Sequence, residues 1–304
     1  MPTPKASNKA KVKLETLKGL NSVCLFSGGL DSAVGAIDIL NSASDYKPLL
    51  VSHSYRGDGV KQGNIKSLLN SHFGELSYSI SPGLMKGLKG KSDVSMRGRS
   101  FNFLAMAVFG ITALRNANGN PGISINPPLT RRRIGSHSTR TTHPYFLNKL
   151  EKLLADAGFN VEFVNPYQFK TKGEMLAECK DPEAIAKAVP LSVSCSHWHR
   201  KNIQCGRCVP CLIRRASVHH AKLTKDASYD SHNLKYVYNE YEKRDDLQAV
   251  QTAIIRLNKT SDYRTWLRQS GSLPSDPGVR DKLESTIKRG LKEVETFLKS
   301  EKVL

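Results

Sequence analysis

The chain has 304 residues, enough for one or two domains with a substantial core. Hydrophobic residues make up 39%, and no apolar run reaches the roughly 18–20 residues of a membrane span, which excludes a spanning helix. Its 46 basic and 27 acidic residues give a net charge of +19, which favours polyanionic company such as a nucleotide, a nucleic acid or an acidic protein, or else serves as a solubilising surface.

Met1–Lys18 is lysine-rich without an apolar block, so it reads as a basic, flexible leader over residues 1–20 and not as a secretory signal. Val23–Phe26 is a short β-prone run, Ser27–Ser32 reads S-G-G-L-D-S, and Ala33–Leu40 carries apolar residues at helical spacing. A strand, a glycine turn and a helix start follow one another. Backbone N–H groups at such a turn, with the helix dipole, bind phosphate. Gly28 and Gly29 clear space for it, Ser27 and Ser32 offer hydroxyls, and Asp31 suits either Mg²⁺ or a helix cap. No lysine follows the glycines, so this is not a Walker-type loop.

Leu49–His53 predicts a second buried strand, Gly57–Phe73 a helix and Leu76–Ile80 a third strand. Strands alternating with helices predict an α/β fold with a doubly wound parallel sheet, whose ligands bind beyond the carboxyl ends of the strands. The S-G-G-L-D-S turn lies at such an end. Phe101–Leu114 is nearly all apolar and reads as a buried helix, and Gly122–Ile125 as a strand. Asn126–Thr142 is a long loop dense in Arg, Ser, Thr and His, a length that favours a functional role. His143–Asp156 predicts an amphipathic helix with the stripe Phe146, Leu147, Leu150, Leu153 and Leu154, capped by Thr142 and ended by Gly158. Asn160–Val164 predicts a strand, and Lys170–Glu174 leads into a short helix. Beyond about Thr224 the pattern is helical, with Ser270–Gly278 as a linker before a last helix, Val279–Leu298.

Of six cysteines, four fall within Cys195–Cys211. The spacing Cys195-x9-Cys205-x2-Cys208-x2-Cys211 suits a tetrahedral, closed and therefore structural Zn²⁺ site, with an iron–sulfur cluster as the alternative. His197 and His199 lie near enough to replace Cys195, although ligand softness favours four thiolates. Cys24 and Cys179 read as core residues. The domains predicted are 21–190 (nucleotide-binding α/β), 191–223 (zinc knuckle and following helix) and 224–304 (helical extension).

The S-G-G-x-D-S turn between a strand and a helix resembles the signature of the PP-loop ATP pyrophosphatases, whose fold is HUP-like. Combined with the cysteine cluster it is similar to QueC, the 7-cyano-7-deazaguanine synthase family. Cys205-Gly206-Arg207-Cys208-Val209-Pro210-Cys211-Leu212-Ile213-Arg214 matches that family's C-G-x-C-x-x-C-x-x-R ending. Gly98-Arg99-Ser100 echoes its G-R-N element, and Lys172-Gly173-Glu174 its K-x-E element.

The resemblance implies adenylation of a 7-carboxy-7-deazaguanine-like acid by ATP with release of pyrophosphate, then attack by a nitrogen nucleophile. It assigns ATP to Ser27, Gly28, Gly29, Leu30, Asp31, Ser32 and His53, with Tyr55 beside His53. Catalytic roles go to Asp31, Ser32 and Lys172, with Mg²⁺ and a structural zinc on Cys195, Cys205, Cys208 and Cys211. Substrate binding falls to Arg97, Arg99, Ser136 and Arg140. Gly135–Pro144 departs from the family's acidic loop, Ser100 replaces its asparagine, and the C-terminal extension is long. These departures resemble QueC-like proteins of bacterial anti-phage systems, especially the QatC branch, and imply a cytoplasmic enzyme with partner proteins from a defence operon and an acceptor amine other than ammonia. A tRNA-modifying PP-loop enzyme, a conventional nitrile-forming synthase and a zinc-stabilised binding module remain the competing readings.

Overall fold

The structure is a computed structural model and describes residues 17, 19–42, 47–53, 58–74, 78–80, 99–118, 122–124, 144–195, 197–198, 202–268 and 271–304. The leader up to residue 16, the 126–142 loop and Thr142 as a cap lie outside the described residues.

The chain is α/β and mostly helical, around a small parallel sheet. Its strands are β1 (Ser22–Leu25), β2 (Pro48–Val51), β3 (Tyr78–Ile80), β4 (Gly122–Ser124) and β5 (Phe163–Val164). They lie in the order β3-β2-β1-β4-β5, all paired parallel. Val23 pairs with Leu49 on one side and Ile123 on the other. The strand order therefore reverses beside β1: β2 and β3 build out on one side, and β4 and β5 on the other.

The pleat sorts the core. Cys24 and Leu50 point to one face and pack with α1 (Leu30–Leu40), α2 (Asp58–Phe73), α5 (Lys172–Ala177) and α6 (Pro182–Leu191), through Val34, Ile37, Ile65, Leu69, Met175 and Ile185. Val23, Leu49 and Val51 point to the other face and meet α3 (Arg99–Asn118) and α4 (Pro144–Asp156) through Leu104, Ile111, Leu147 and Leu150. Strands buried on both faces explain why the sequence shows short continuous apolar runs in place of alternation.

Three expectations need correction. The helix at Phe101–Leu114 is not buried all round: it buries the arc of Leu104, Ala107, Ile111 and Leu114, while Phe101 and Phe109 point away and are exposed among the described residues. In α4, Leu153 is exposed because its direction falls outside the stripe of roughly 100° that a one-sided helix buries. The last strand is only Phe163–Val164, because Asn160–Glu162 do not pair with β4. Gly158 does end α4: it takes φ +84°, and Phe159 N–H donates to Leu154 O at 2.8 Å.

The C-terminal part packs on α7 (Val209–His220). Leu212 and Ala216 of α7 join α8 (Leu234–Asn239), α9 (Asp245–Thr260) and α11 (Pro277–Ser300) in one cluster with Phe297 and Leu298. The short α10 (Tyr263–Arg268) places Trp266 against α9. No described helix is long and apolar enough to cross a membrane.

Candidate metal centre and phosphate loop

The loop Ser27–Ser32 leaves the carboxyl end of β1 and starts α1. Gly28 adopts φ +73°, a conformation open to glycine at little cost. Gly29 caps α1 without a side-chain hydrogen bond, so among the described residues no side chain caps the first-turn N–H groups. Gly29 N–H donates to Ser27 Oγ at 3.3 Å, Ser32 Oγ–H donates to Gly29 O at 2.9 Å, and the two hydroxyls lie 3.2 Å apart. Leu30 buries its side chain in the core, which leaves only its main chain for a ligand.

Three distant segments hold this loop. Gln62 of α2 donates through Nε2 to Ser27 O at 3.4 Å and to His53 O at 3.2 Å, tying the loop to the end of β2. Val193 N–H donates to Gly28 O at 3.2 Å. Lys172, the first residue of α5 and only 7% exposed, sets Nζ 2.9 Å from Asp31 Oδ1. The structure thus brings Lys172 against Asp31, residues from two motifs 141 positions apart, while Ser32 turns back onto the loop itself. His53 stands at the end of β2 with its ring edge-on to Phe103 at 5.8 Å, and its Nδ1 is buried without a hydrogen-bond partner among the described residues. Arg97, Ser136, Arg140, Tyr55 and His199 lie outside the described residues; Arg99 opens α3, but its side chain also lies outside them.

The cysteines converge just beyond Val193. Cys208 is the residue before α7, Cys211 lies in its first turn, and Cys205 and Cys195 come from the preceding loops. Cys195 and Cys208 sulfurs are 3.9 Å apart, Cys205 and Cys211 3.9 Å, and Cys208 and Cys211 3.5 Å. A tetrahedron of sulfurs at about 2.3 Å from zinc has edges of about 3.8 Å, so the spacing fits a metal ion. Main-chain N–H groups already point at the sulfurs: Cys205 N–H and His197 N–H at Cys195 Sγ, at 3.2 and 3.3 Å, and Cys208 N–H at Cys205 Sγ, at 3.3 Å.

Cys195, His197, Cys205 and Cys208 also form a cluster able to hold a metal, with ligand atoms all within 4.8 Å of one another. Three cysteines are common to both sets, with Cys211 or His197 as the fourth ligand. Cys211 is fully buried and sits against two of the sulfurs, whereas His197 is half-buried.

Crowded together, the four thiols shift one another in opposite directions. Hydrogen bonding to Cys205 raises the Cys195 thiol, but bonds from Cys208 and Cys211 outweigh this and bring it to about 6. Bonds from Cys195, Cys208 and Cys211 hold Cys205 far below its ordinary value, while bonds to Cys195, Cys205 and Cys208, with burial, push Cys211 up. Cys24 and Cys179 are buried core residues, and burial pushes the Cys179 thiol up to about 12, so neither is an activated nucleophile.

Arg214 fastens the metal centre to the rest of the chain. It is 0% exposed and donates to Ser192 O and Ser192 Oγ at 3.1 and 2.8 Å, to Val189 O at 2.5 Å and to Asp226 Oδ1 at 2.8 Å. Gln204 grips the same segment, accepting from Ser194 N–H at 3.0 Å and donating to Ser192 O at 3.2 Å. In the sequence Arg214 stands out only as the end of the cysteine motif, and nothing local announces the reach of Gln62. A cavity of about 180 Å³ lies beside this segment, walled by Lys61, Val193 and Trp198, with Lys61 Nζ 4.6 Å from the Trp198 ring. A larger cavity of about 700 Å³, between α4 and Ser272–Val279, is lined by neither the loop nor the cysteines.

No protein-family model matches the chain, and no curated protein matches it.

Proposed function

We propose that the chain is a PP-loop ATP pyrophosphatase of the QueC-like type, in its QatC branch, that adenylates a 7-deazaguanine carboxylate and passes the acyl group to an amine. The observation that carries this reading is the Asp31–Lys172 pair, 2.9 Å apart at the glycine turn. A buried cation, uncapped helix N–H groups and a carboxylate meet there, which is what a triphosphate requires. The reversal of strand order beside β1 supports a doubly wound sheet with its ligand site at that point.

In the proposed reaction a carboxylate oxygen of the substrate attacks the α-phosphorus of ATP. The bond from that phosphorus to the β-bridging oxygen breaks, and pyrophosphate leaves. The N–H groups of Leu30 and of the next residues of α1 receive the phosphate oxygens, and Lys172 neutralises charge that builds on the leaving group. The amine then attacks the acyl carbon, its proton leaves to solvent, and AMP departs. Asp31 fits Mg²⁺, which is held by one or two carboxylates together with substrate phosphates and would supply further charge neutralisation. A zinc on Cys195, Cys205, Cys208 and Cys211 has no open position, so its part is structural. The net charge of +19 and the long C-terminal part suit an acceptor amine on a partner protein.

The test is incubation of the metal-loaded protein with ATP, Mg²⁺ and 7-carboxy-7-deazaguanine, with ammonia or with candidate partner proteins. Pyrophosphate release is read enzymatically and products by mass spectrometry. AMP with an amide on a partner is the expected result. Efficient nitrile formation from ammonia alone overturns the altered acceptor; no pyrophosphate with any deazapurine acid overturns the enzyme.

A further inference from the structure

Lys172 belongs to a helix too short to hold itself. The helix α5 has 6 residues, and a single turn and a half is unstable without outside support. Its own support is a capping box: Thr171 Oγ accepts from Glu174 N–H at 3.0 Å, and Glu174 Oε2 accepts from Thr171 N–H at 2.8 Å. Its apolar side packs on α7 and α1 through Met175 and Leu176, and the polar main-chain groups at its start are held from α11, more than a hundred residues away. Glu293 is 8% exposed; it accepts from Gly173 N–H at 3.2 Å and from the Thr171 hydroxyl. His220 of α7 stands 3.8 Å from the same carboxylate. Arg289 donates to both oxygens of Glu174, at 2.5 and 3.1 Å, and to Phe169 O at 2.8 Å; Thr286 donates to Phe169 O at 3.0 Å. A Cβ on Gly173 would come within 2.7 Å of the Glu293 carboxylate, so the glycine is what lets the two helices close to this distance.

Buried carboxylates are rare unless paired, and this one is spent on the main chain immediately after Lys172. We infer that α11 is a positioning element for the nucleotide site: Glu293, with Arg289, fixes the turn before α5 and so aims Lys172 at Asp31 and the phosphate loop. The C-terminal part of the chain thereby acts on the chemistry without touching the ligand. This rests on the reading of Lys172 as the phosphate-side cation, but its first test does not need ATP.

That test is lysine footprinting of the full-length protein with limiting acetylating reagent and peptide mass spectrometry, comparing wild type with Glu293→Ala and Gly173→Ala. Removing the acceptor or the space for it is expected to raise acetylation of Lys172 about five-fold or more, with exposed Lys187 unchanged. Unchanged Lys172 reactivity in both variants overturns the inference, as does a rise spread evenly over all lysines, which marks general loosening. The second readout is pyrophosphate release. Glu293→Ala is expected to lower kcat by about five- to ten-fold more than it changes KM for ATP, and to cost nothing further in a Lys172→Met background. Additive losses in the double variant overturn the positioning role. A wild-type protein whose Lys172 is protected in the footprint but which releases no pyrophosphate leaves the positioning intact and overturns the enzymatic reading instead.

Discussion

Gly206→Ala separates the metal centre from ordinary backbone strain. Gly206 sits between Cys205 and Cys208 at φ +77°, and a Cβ there would lie 2.3 Å from Ser231 O and 2.9 Å from Tyr229 Cβ. The left-handed conformation alone costs an alanine about 1–2 kcal/mol. The overlap cannot be relieved by a rotamer, because Ser231 O is main chain and its own N–H donates to Cys205 O at 3.1 Å, beside the Asp230 N–H bond to Gln204 O at 2.8 Å. Opening that contact loses two hydrogen bonds at about 1 kcal/mol each, for a total of about 3–4 kcal/mol. The control is Gly158→Ala, at φ +84° with nothing within 4 Å, which carries the strain and no overlap. Thermal unfolding should show a loss of about 6 °C or more for Gly206→Ala and about half that for Gly158→Ala. If the additional 2 kcal/mol falls on the metal-bound state, competition with a chelator should show zinc bound about thirty-fold more weakly in Gly206→Ala alone. Equal thermal losses and equal zinc affinity in the two variants would refute the reasoning.

The fourth metal ligand is decided by Cys211→Ser against His197→Ala: elemental analysis after dialysis against chelator should find zinc lost from the first and kept by the second, and the reverse assigns His197. The acid limb of stability carries a signature of the α5–α11 contact. Burial raises Glu174, but Arg289 and the Thr171 N–H outweigh it and hold the carboxyl below its ordinary value. A depressed carboxyl contributes stability that is full above the unfolded-state value and is lost as pH falls through the folded one. Glu174→Gln keeps the capping box and should therefore flatten unfolding midpoints measured below the ordinary glutamate range. A residual slope should remain from Asp181 and Glu295, which are also held low. An unchanged acid limb in Glu174→Gln removes Arg289 as its partner.

The parts of the site that are local in sequence were legible. The glycine turn, the strand before it and the helix after it lie within one stretch, Ser22–Leu40, and the cysteine steps reflect how many residues a chain needs to wrap one ion. Gly158 announced the end of α4 because few other residues take positive φ there. The parts made by distant contact were not legible. Glu293 reads as one more charge on an amphipathic helix, and only the fold reveals that Gly173 meets it across 120 positions. Gln62 has no distinguishing neighbour either. Phe109 shows the opposite failure: an almost wholly apolar helix suggested burial, but among the described residues only one face of α3 is covered.

The loop's geometry has no strong local cause, and that explains the rest of the architecture. Gly28 and Gly29 permit the turn without enforcing it, and the Ser27–Ser32 contact is too weak to fix it alone. Each outside restraint comes from a different layer: Gln62 from α2, Val193 from the lead-in to the cysteines, and Lys172 from α5. Two of these are themselves held from beyond the sheet. Val193 lies between Ser192 and Ser194, which Arg214 and Gln204 grip from the metal side, and Lys172 precedes the glycine that Glu293 holds from α11. The cysteine cluster and a buried carboxylate thus do the same kind of work on opposite ends of α6 and α5. They fix main-chain segments whose polar groups reach the loop. Removing the metal should disturb Gly28 through Val193 before it disturbs Asp31, and loosening α11 should disturb Asp31 through Lys172 before it disturbs Gly28. Amide hydrogen exchange at Gly29 and Ser32, measured after chelation and in Glu293→Ala, distinguishes the two routes. Identical patterns of exposure from both treatments would mean that the loop melts as one unit and that the separate restraints have no independent meaning.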